Sequence, residues 1–106
     1  MFRTDVIGLI GKDAVLNEVN GKKVINFNVA FTEKFKDQLG IEQSKTTWLH
    51  CNWWTEKTGI LIHLKKGQKV LVSGKPEVRI YVPDKGEFQG EHQAQLHLRV
   101  NSVYLV

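Results

Sequence analysis

The chain has 106 residues, 42% of them apolar, which suits a single domain with one modest core over residues 1–106. No apolar run reaches membrane-spanning length and no stretch resembles a signal peptide, while the one cysteine, Cys51, excludes an internal disulfide and fits a reducing cytoplasm. The net charge of +4 is concentrated in residues 46–79, which contain six Lys or Arg and two Asp or Glu.

The first part of the chain has the pattern of β-strands. A first strand is predicted from Val6 to Ile10. Asn20-Gly21 is a strong hairpin signal, because both residues tolerate positive φ, and it joins a strand that ends near Val19 to one that covers about residues 23–32. Residues 33–45 are mostly polar and contain a central glycine, so we expect a long, mobile hairpin loop there.

The next stretch, TTWLHCNWW at residues 46–54, holds all three tryptophans of the chain. β-branched and aromatic residues dominate it, so it is predicted to be a strand with two alternating faces. One face is expected to join the core, with the cysteine as a small buried hydrophobe: Thr47, Leu49, Cys51 and Trp53. The other face surrounds polar residues with two tryptophans and is expected to lie on the surface: Thr46, Trp48, His50, Asn52 and Trp54.

The second half of the chain completes a familiar order of elements. Residues 55–67 fit a short helix that ends at Gly67 in a left-handed conformation. A fourth strand is predicted from Gln68 to about Val82, then a turn at residues 83–86, then a last strand from Gln93. The alternation of this last strand slips near Ser102, which indicates a bulge or the end of the strand. This order predicts an all-β OB-fold, a five-stranded Greek-key barrel with one short helix between strands 3 and 4.

Basic charge and aromatic side chains coincide in the middle of the chain, a combination typical of proteins that follow a nucleic-acid backbone and stack on its bases. Catalysis is not indicated, because His50 and Cys51 are strand neighbours that point to opposite faces, and no phosphate-binding loop or zinc motif occurs. The histidines lack metal-ligand spacing, so no metal or cofactor is expected. Three of them are expected to be ordinary surface residues: His63, His92 and His97.

Four stretches, in the right order and with near-family spacing, resemble the bacterial single-stranded DNA-binding proteins of the replicative type over nearly the whole chain. They are GLIGKD (Gly8 to Asp13), FNVAFTE (Phe27 to Glu33), TTWLHCNWW, and LKKGQKVLVSG (Leu64 to Gly74). The resemblance implies an OB-fold that assembles as a homotetramer, with a dimer as the alternative. It also implies a cytoplasmic, nucleoid-associated protein that binds single-stranded DNA without sequence preference and protects it in DNA replication, recombination and repair.

The same resemblance assigns candidate DNA contacts. Stacking positions fall on Trp48 and Trp54, on Phe35 in the preceding loop, and on Tyr81 near the end of the fourth strand. The basic residues near these aromatics are the expected phosphate contacts: Lys34, Lys36, Lys57, Lys75 and Arg79. His50 shares the tryptophan face and is a candidate contact for DNA or for a neighbouring subunit.

The sequence also departs from the family. Leu9 replaces the usual asparagine, and Phe35 and Tyr81 offer smaller or more polar surfaces than tryptophan. Family members usually continue into a disordered linker and an acidic tip that recruits replication and repair proteins, whereas this sequence ends at SVYLV. It is therefore either a piece of a longer protein or a chain for which such recruitment is doubtful. The alternative function is that of a dimer similar to primosomal replication protein N, which binds single strands and partner proteins at replication restart.

Overall fold

The computed structural model describes residues 2–82 and 93–106, which form six β-strands and one short 3₁₀ helix. The elements are β1 (Thr4–Ile10), β2 (Val15–Val19), β3 (Lys22–Lys36), β4 (Glu42–Trp54), the 3₁₀ helix (Thr58–His63), β5 (Lys69–Tyr81) and β6 (Gln93–Leu105). None of the described helical residues belongs to a helix long and apolar enough to cross a membrane. The turn predicted at residues 83–86 lies outside the described residues.

The strands close into a barrel. They are hydrogen-bonded in the order β1-β5-β6-β4-β3, and Leu9 and Ile10 of β1 pair with Ala30 and Val29 of β3 to complete the ring. β4 and β6 run parallel, which is the pairing that a Greek-key barrel of this order requires. Because β1 and β2 both pair with β3, they together occupy the position of one bent strand. The predicted five-stranded OB-fold with one short helix is confirmed.

The bend between β1 and β2 is held against the turn that precedes β5. Asp13 Oδ1 accepts a hydrogen bond from the Lys66 backbone N–H at 2.8 Å, and the carbonyl of Ile10 accepts one from Gly67 at 2.7 Å. Gly67 has a φ of +90°, as the sequence predicted, but the helix already ends at His63, so this glycine belongs to a separate turn. The GLIGKD and LKKGQKVLVSG stretches therefore contact each other.

The prediction of a long, mobile loop at residues 33–45 is wrong. β3 and β4 pair without interruption as far as Lys36 and Glu42, so only residues 37–41 form the turn. Asn20 and Gly21, with φ of 51° and 77°, form the predicted tight turn at the other end of β3. The 33–45 segment resembles a loop in sequence because none of the described strands pairs with this end of the hairpin as a third strand, so no core imposes an apolar alternation.

A bulge in β6 changes which residues face the core. Its pairing with β5 passes from Ser102–Ser73 to Val100–Gly74, so Asn101 is an extra residue without a partner in β5. Val100 and Val103 are consequently both buried although they are three residues apart. The predicted slip near Ser102 is confirmed.

The core inside the barrel is apolar. Its largest fully buried side chains are Ile10, Ile25, Val29, Leu49, Cys51, Leu64, Val70, Val72 and Leu98. Each such aliphatic side chain contributes about 1.5–3 kcal/mol relative to leaving it in water. Burial also raises the pKa of the Cys51 thiol to about 12, so this cysteine is a neutral hydrophobe, as predicted.

Candidate nucleic-acid interface

The tryptophan strand has the two faces that its sequence predicted. Leu49 and Cys51 are buried, and Trp53 packs partly buried against the core. On the opposite face Trp48 and Trp54 remain 52% and 44% exposed. The alternation of this strand thus places one tryptophan, Trp53, against the core and leaves the other two exposed on the outer surface of the barrel.

Trp48 has small residues as its neighbours. It is paired with Ala30 on β3, and its six-membered ring covers Gly11 at the end of β1. A methyl group on Gly11 would lie 2.8 Å from Trp48 Cη2 and still closer to Cζ3. The ring is therefore supported by the barrel where it covers Gly11 and exposed elsewhere, which is the arrangement that a stacking platform needs.

Two rows of mostly polar side chains cross the barrel between the tryptophans. The strand register aligns the first row over β3, β4, β6 and β5: Asn28, His50, His97 and Glu77. The second row follows the same four strands: Asn26, Asn52, Arg99 and Lys75. We refer to this surface, with Trp48 and Trp54 at its two ends, as the outer face.

His50 and His97 stack at the centre of the outer face. Their ring centroids are 4.9 Å apart and the rings are inclined by 24°. His97 Nε2 lies 3.1 Å from Gln95 Oε1, while its Nδ1 is buried with no hydrogen-bond partner among the described residues. Burial, then Arg79 and His50, lower the pKa of His97 against the opposing effect of Glu77. The expectation that His97 is an ordinary surface residue is wrong, because it is half-buried in this pair.

An open hollow of about 420 Å³ lies beside Trp54. It is lined by Lys22, Asn52, Trp54, Glu77, Arg79 and Arg99. Three cations and one carboxylate meet here, and Arg79 Nη2 lies 3.3 Å from that carboxylate in Glu77. The hollow therefore combines an exposed indole with an excess of positive charge.

The predicted phosphate contacts fall into three groups: Lys75 with Arg79 on β5, Lys57 after β4, and Lys34 with Lys36 on the β3–β4 hairpin. Lys75 and Arg79 lie on β5 within or beside the outer face, opposite Arg99 and Gln95 of β6. Lys57 lies elsewhere, in a groove on the other side of β4 with Trp53 and Tyr104. The structure therefore does not bring Lys57 to the outer face. Tyr81 ends β5, but its side chain lies outside what is described.

Lys34 and Lys36 extend the outer face along the β3–β4 hairpin, whereas Phe35 lies between them on the opposite side. Phe35 is 50% exposed and lines a small hollow with both lysines and Glu42. By register Phe35 opposes Gln43, which belongs to the alternation of the buried β4 residues, whereas the two lysines share the alternation of Trp48. The aromatic and the lysines therefore leave the hairpin on opposite sides.

Arg99 is the principal residue that sequence reasoning missed. It lines the hollow beside Trp54 and a second one with Arg3 and Lys75. Its alternation against the buried Leu98 and Val100 marks it as outward-facing, but only the parallel pairing of β6 with β4 shows that it lies next to Asn52. Over residues 2–82 and 93–106 no group of His, Cys, Asp or Glu is arranged to hold a metal ion.

The closed barrel and the outer face together define a class of protein. An OB-fold with open aromatic rings and clustered cations on one face is typical of domains that bind single-stranded nucleic acid. The comparison with known families agrees: the model of the single-strand binding protein family matches residues 1–106, and the chain belongs to that family. It is a family of binding proteins, not of enzymes.

Individual relatives support the assignment. Single-stranded DNA-binding protein 1 of Chlorobaculum tepidum is 34% identical over 82 residues, which is 76% of this chain and 51% of the relative. The chain thus spans about half the length of that protein. A small single-stranded DNA-binding protein from Streptomyces coelicolor has the same fold, with a TM-score of 0.81 at 16% identity over 99% of this chain and 94% of that one. A Plasmodium falciparum protein solved with single-stranded DNA gives 0.73 at 26% identity over 100% of this chain and 93% of the other.

Proposed function

We propose that this chain binds single-stranded DNA without sequence preference and protects it in the cytoplasm, at the nucleoid, during replication, recombination and repair. The observation on which the proposal rests is the open position of Trp48 and Trp54 at the two ends of a face that also presents Arg79, Arg99 and Lys75. A relative of known structure was solved in complex with single-stranded DNA, which supports the same ligand here.

Stacking supplies the part of the affinity that does not depend on salt. The two tryptophans are six residues apart on β4, roughly 20 Å at about 3.3 Å per residue, so several nucleotides fit between them. Each stacked base contributes on the order of 1–3 kcal/mol. Every base has a π face, so this mode of binding tolerates any sequence.

Phosphate contacts supply the salt-dependent part. The cations of the outer face, together with Lys34 and Lys36 on the hairpin, displace counterions from the strand. Each phosphate neutralised on a single strand contributes a slope of about −0.7 in log K against log salt. Because one chain has a net charge of only +4, tight binding is expected to require several subunits on one strand.

Self-association through β1 would meet this requirement, and we propose a homo-oligomer, a tetramer as the family resemblance implies. Among the described strands, Thr4 to Gly8 pair only with β5, so their other edge is open to a second copy. Ile7, Leu71 and Tyr104 form an outward-facing apolar row across β1, β5 and β6 beside that edge. Ile7 and Tyr104 in this row are exposed in the single chain.

Titration with oligo-dT tests the function directly. Saturating oligonucleotide is expected to quench tryptophan emission strongly, because Trp48 and Trp54 stack on thymines. Trp54→Ala is expected to weaken binding by about 1–3 kcal/mol, about 5- to 150-fold in Kd, with the salt slope nearly unchanged. Ile62→Ala is the matched control, since Ile62 is exposed on the 3₁₀ helix, away from the outer face.

Two results would contradict the proposal. Unchanged emission at saturating oligo-dT would exclude stacking on the exposed tryptophans. A Trp54→Ala protein that binds as tightly as the Ile62→Ala control, or that changes only the salt slope, would show that the indole does not hold a base.

A further inference from the structure

We propose that the stacked His50–His97 pair is a proton-dependent phosphate contact, so that binding of single-stranded DNA takes up a proton at this pair and the affinity rises as the pH falls from about 8 to about 6. The inference deepens the proposed function and rests on it. His50 is the residue that would contact the phosphate. His97 is a positioning residue, because its ring stacks on that of His50.

The location of the pair favours this role. The two rings lie at the centre of the outer face, in the row between Asn28 and Glu77, with Trp48 and Trp54 on either side along the strand. A strand that stacks on both tryptophans must pass over this row. The backbone of that strand would then lie within reach of the imidazole edges.

The groups around the pair carry an excess of positive charge before DNA arrives. β5 contributes Lys75, Glu77 and Arg79, and β6 contributes Arg99. The flanking positions of β4 and the β3 residues beside the pair are uncharged, while Lys22 of β3 lies farther along the face, beside Trp54. Among the described residues of these strands, Lys75, Arg79 and Arg99 outnumber the carboxylate of Glu77, which already contacts Arg79. Burial, then Arg79 and His50, lower the pKa of His97, and Glu77 opposes them. Incoming phosphates would offset this positive field, so a proton at the pair is favoured more in the complex with DNA than in the free protein.

Hydrogen-bond geometry assigns the two histidines different roles. With Gln95 Oε1 as the acceptor, Nε2 of His97 is the protonated nitrogen, and a second proton on Nδ1 would be buried without an acceptor among the described residues. His97 therefore remains neutral and holds His50 in place by stacking at 4.9 Å. Two charges at that separation repel each other, so we expect no more than one proton per chain.

The test is binding of fluorescently labelled oligo-dT between about pH 5.5 and 8 at constant ionic strength, where neither thymine nor the phosphodiester titrates. The wild type is expected to bind more tightly at lower pH, by up to about tenfold per pH unit for one linked proton. His50→Gln is expected to bind with nearly constant affinity above about pH 6. His97→Phe, which keeps a flat ring beside His50, is expected to retain the pH dependence. His63→Gln is the matched control, since His63 lies on the exposed 3₁₀ helix.

Calorimetry in two buffers of different ionisation enthalpy counts the protons directly. The proposal predicts net proton uptake by the wild type and its loss in His50→Gln, with folding of each variant checked by circular dichroism. Tight binding that is independent of pH, or an unchanged pH slope in His50→Gln, would overturn this inference and leave the proposed function intact. Absence of binding at every pH would overturn both.

Discussion

Two residues without large side chains make Trp48 a platform. Gly11 lies against the six-membered ring of the indole, so any larger group there would meet the ring, and Ala30 is the small cross-strand neighbour of Trp48 on β3. The exposed position of Trp48 is therefore built into the fold. It depends on residues from two other strands that hold the ring while leaving part of it open.

Gly11→Ala tests this support. Because the new methyl group would lie 2.8 Å from Trp48 Cη2, the ring has to move away from it, and we expect the loss of about one stacked base, about 1–3 kcal/mol of binding free energy for oligo-dT. Gly59→Ala is the matched control, since a methyl group there meets no atom within 4 Å. Oligo-dT affinity and tryptophan emission measure the effect. Equal affinity in the two variants would mean that the position of Trp48 does not matter for binding.

Local alternation was enough to predict which tryptophans are exposed and which one packs against the core. In TTWLHCNWW every second residue is apolar or small enough for a core, so the exposed and packed indoles separate without knowledge of other strands. Arg99 and His97 could not be assigned in this way. Their neighbours belong to β4, more than forty residues away in sequence, and only the parallel pairing of β4 with β6 brings them together.

At the scale of elements, the β3–β4 hairpin is the main departure from the sequence prediction. Its end is a regular two-stranded ribbon held at the turn by Asp37. Oδ1 of Asp37 accepts the backbone N–H groups of Leu39 and Ile41 at 2.9 and 3.0 Å, and Oδ2 accepts from Gln43 Nε2 at 3.2 Å. A polar ribbon outside the barrel has no apolar period, which is why its sequence resembles a loop.

Asp37→Ala is expected to loosen this turn. Amide hydrogen exchange at Leu39 and Ile41 should accelerate, and oligo-dT binding should weaken because Lys34, Phe35 and Lys36 lose their fixed positions. Gln38→Ala, at an exposed neighbouring turn position, is the control. Unchanged exchange at both amides would show that the carboxylate does not order the turn.

The pH dependence of the turn follows from the same hydrogen bonds. The backbone N–H of Ile41 has the largest effect and lowers the pKa of Asp37 below its ordinary value of 3.8. Burial opposes this shift, and the N–H of Leu39 and the side-chain amide of Gln43 add to it. A carboxylate with a lowered pKa stabilises the folded turn at pH above its unfolded pKa, and the contribution is lost as the pH falls through the folded pKa. The turn should therefore stay ordered throughout the neutral range.

At the scale of the whole molecule, the outer face and the open edge of β1 lie on different parts of the barrel. The outer face is formed by β3, β4, the first half of β6 and the second half of β5, whereas the apolar row of Ile7, Leu71 and Tyr104 lies on β1, the first half of β5 and the end of β6. Self-association through β1 would therefore leave the tryptophans free. Several outer faces could then act on one strand, which raises the affinity beyond that of a single weakly basic chain.

Ile7→Lys tests this arrangement. Ile7 is 54% exposed on β1, and a lysine there would bring like charges together wherever two copies pair through this strand, so we expect the assembly to dissociate. Ile62→Lys adds the same charge at an exposed position on the 3₁₀ helix and serves as the control. Light scattering should give a multiple of the 12.1 kDa chain for the wild type and the control, and a lower mass for Ile7→Lys.

Because each separated barrel keeps its tryptophans, oligo-dT should still quench the tryptophan emission of Ile7→Lys, with weaker binding and a smaller salt slope. A monomeric wild type, or an Ile7→Lys protein of unchanged mass, would exclude assembly through β1.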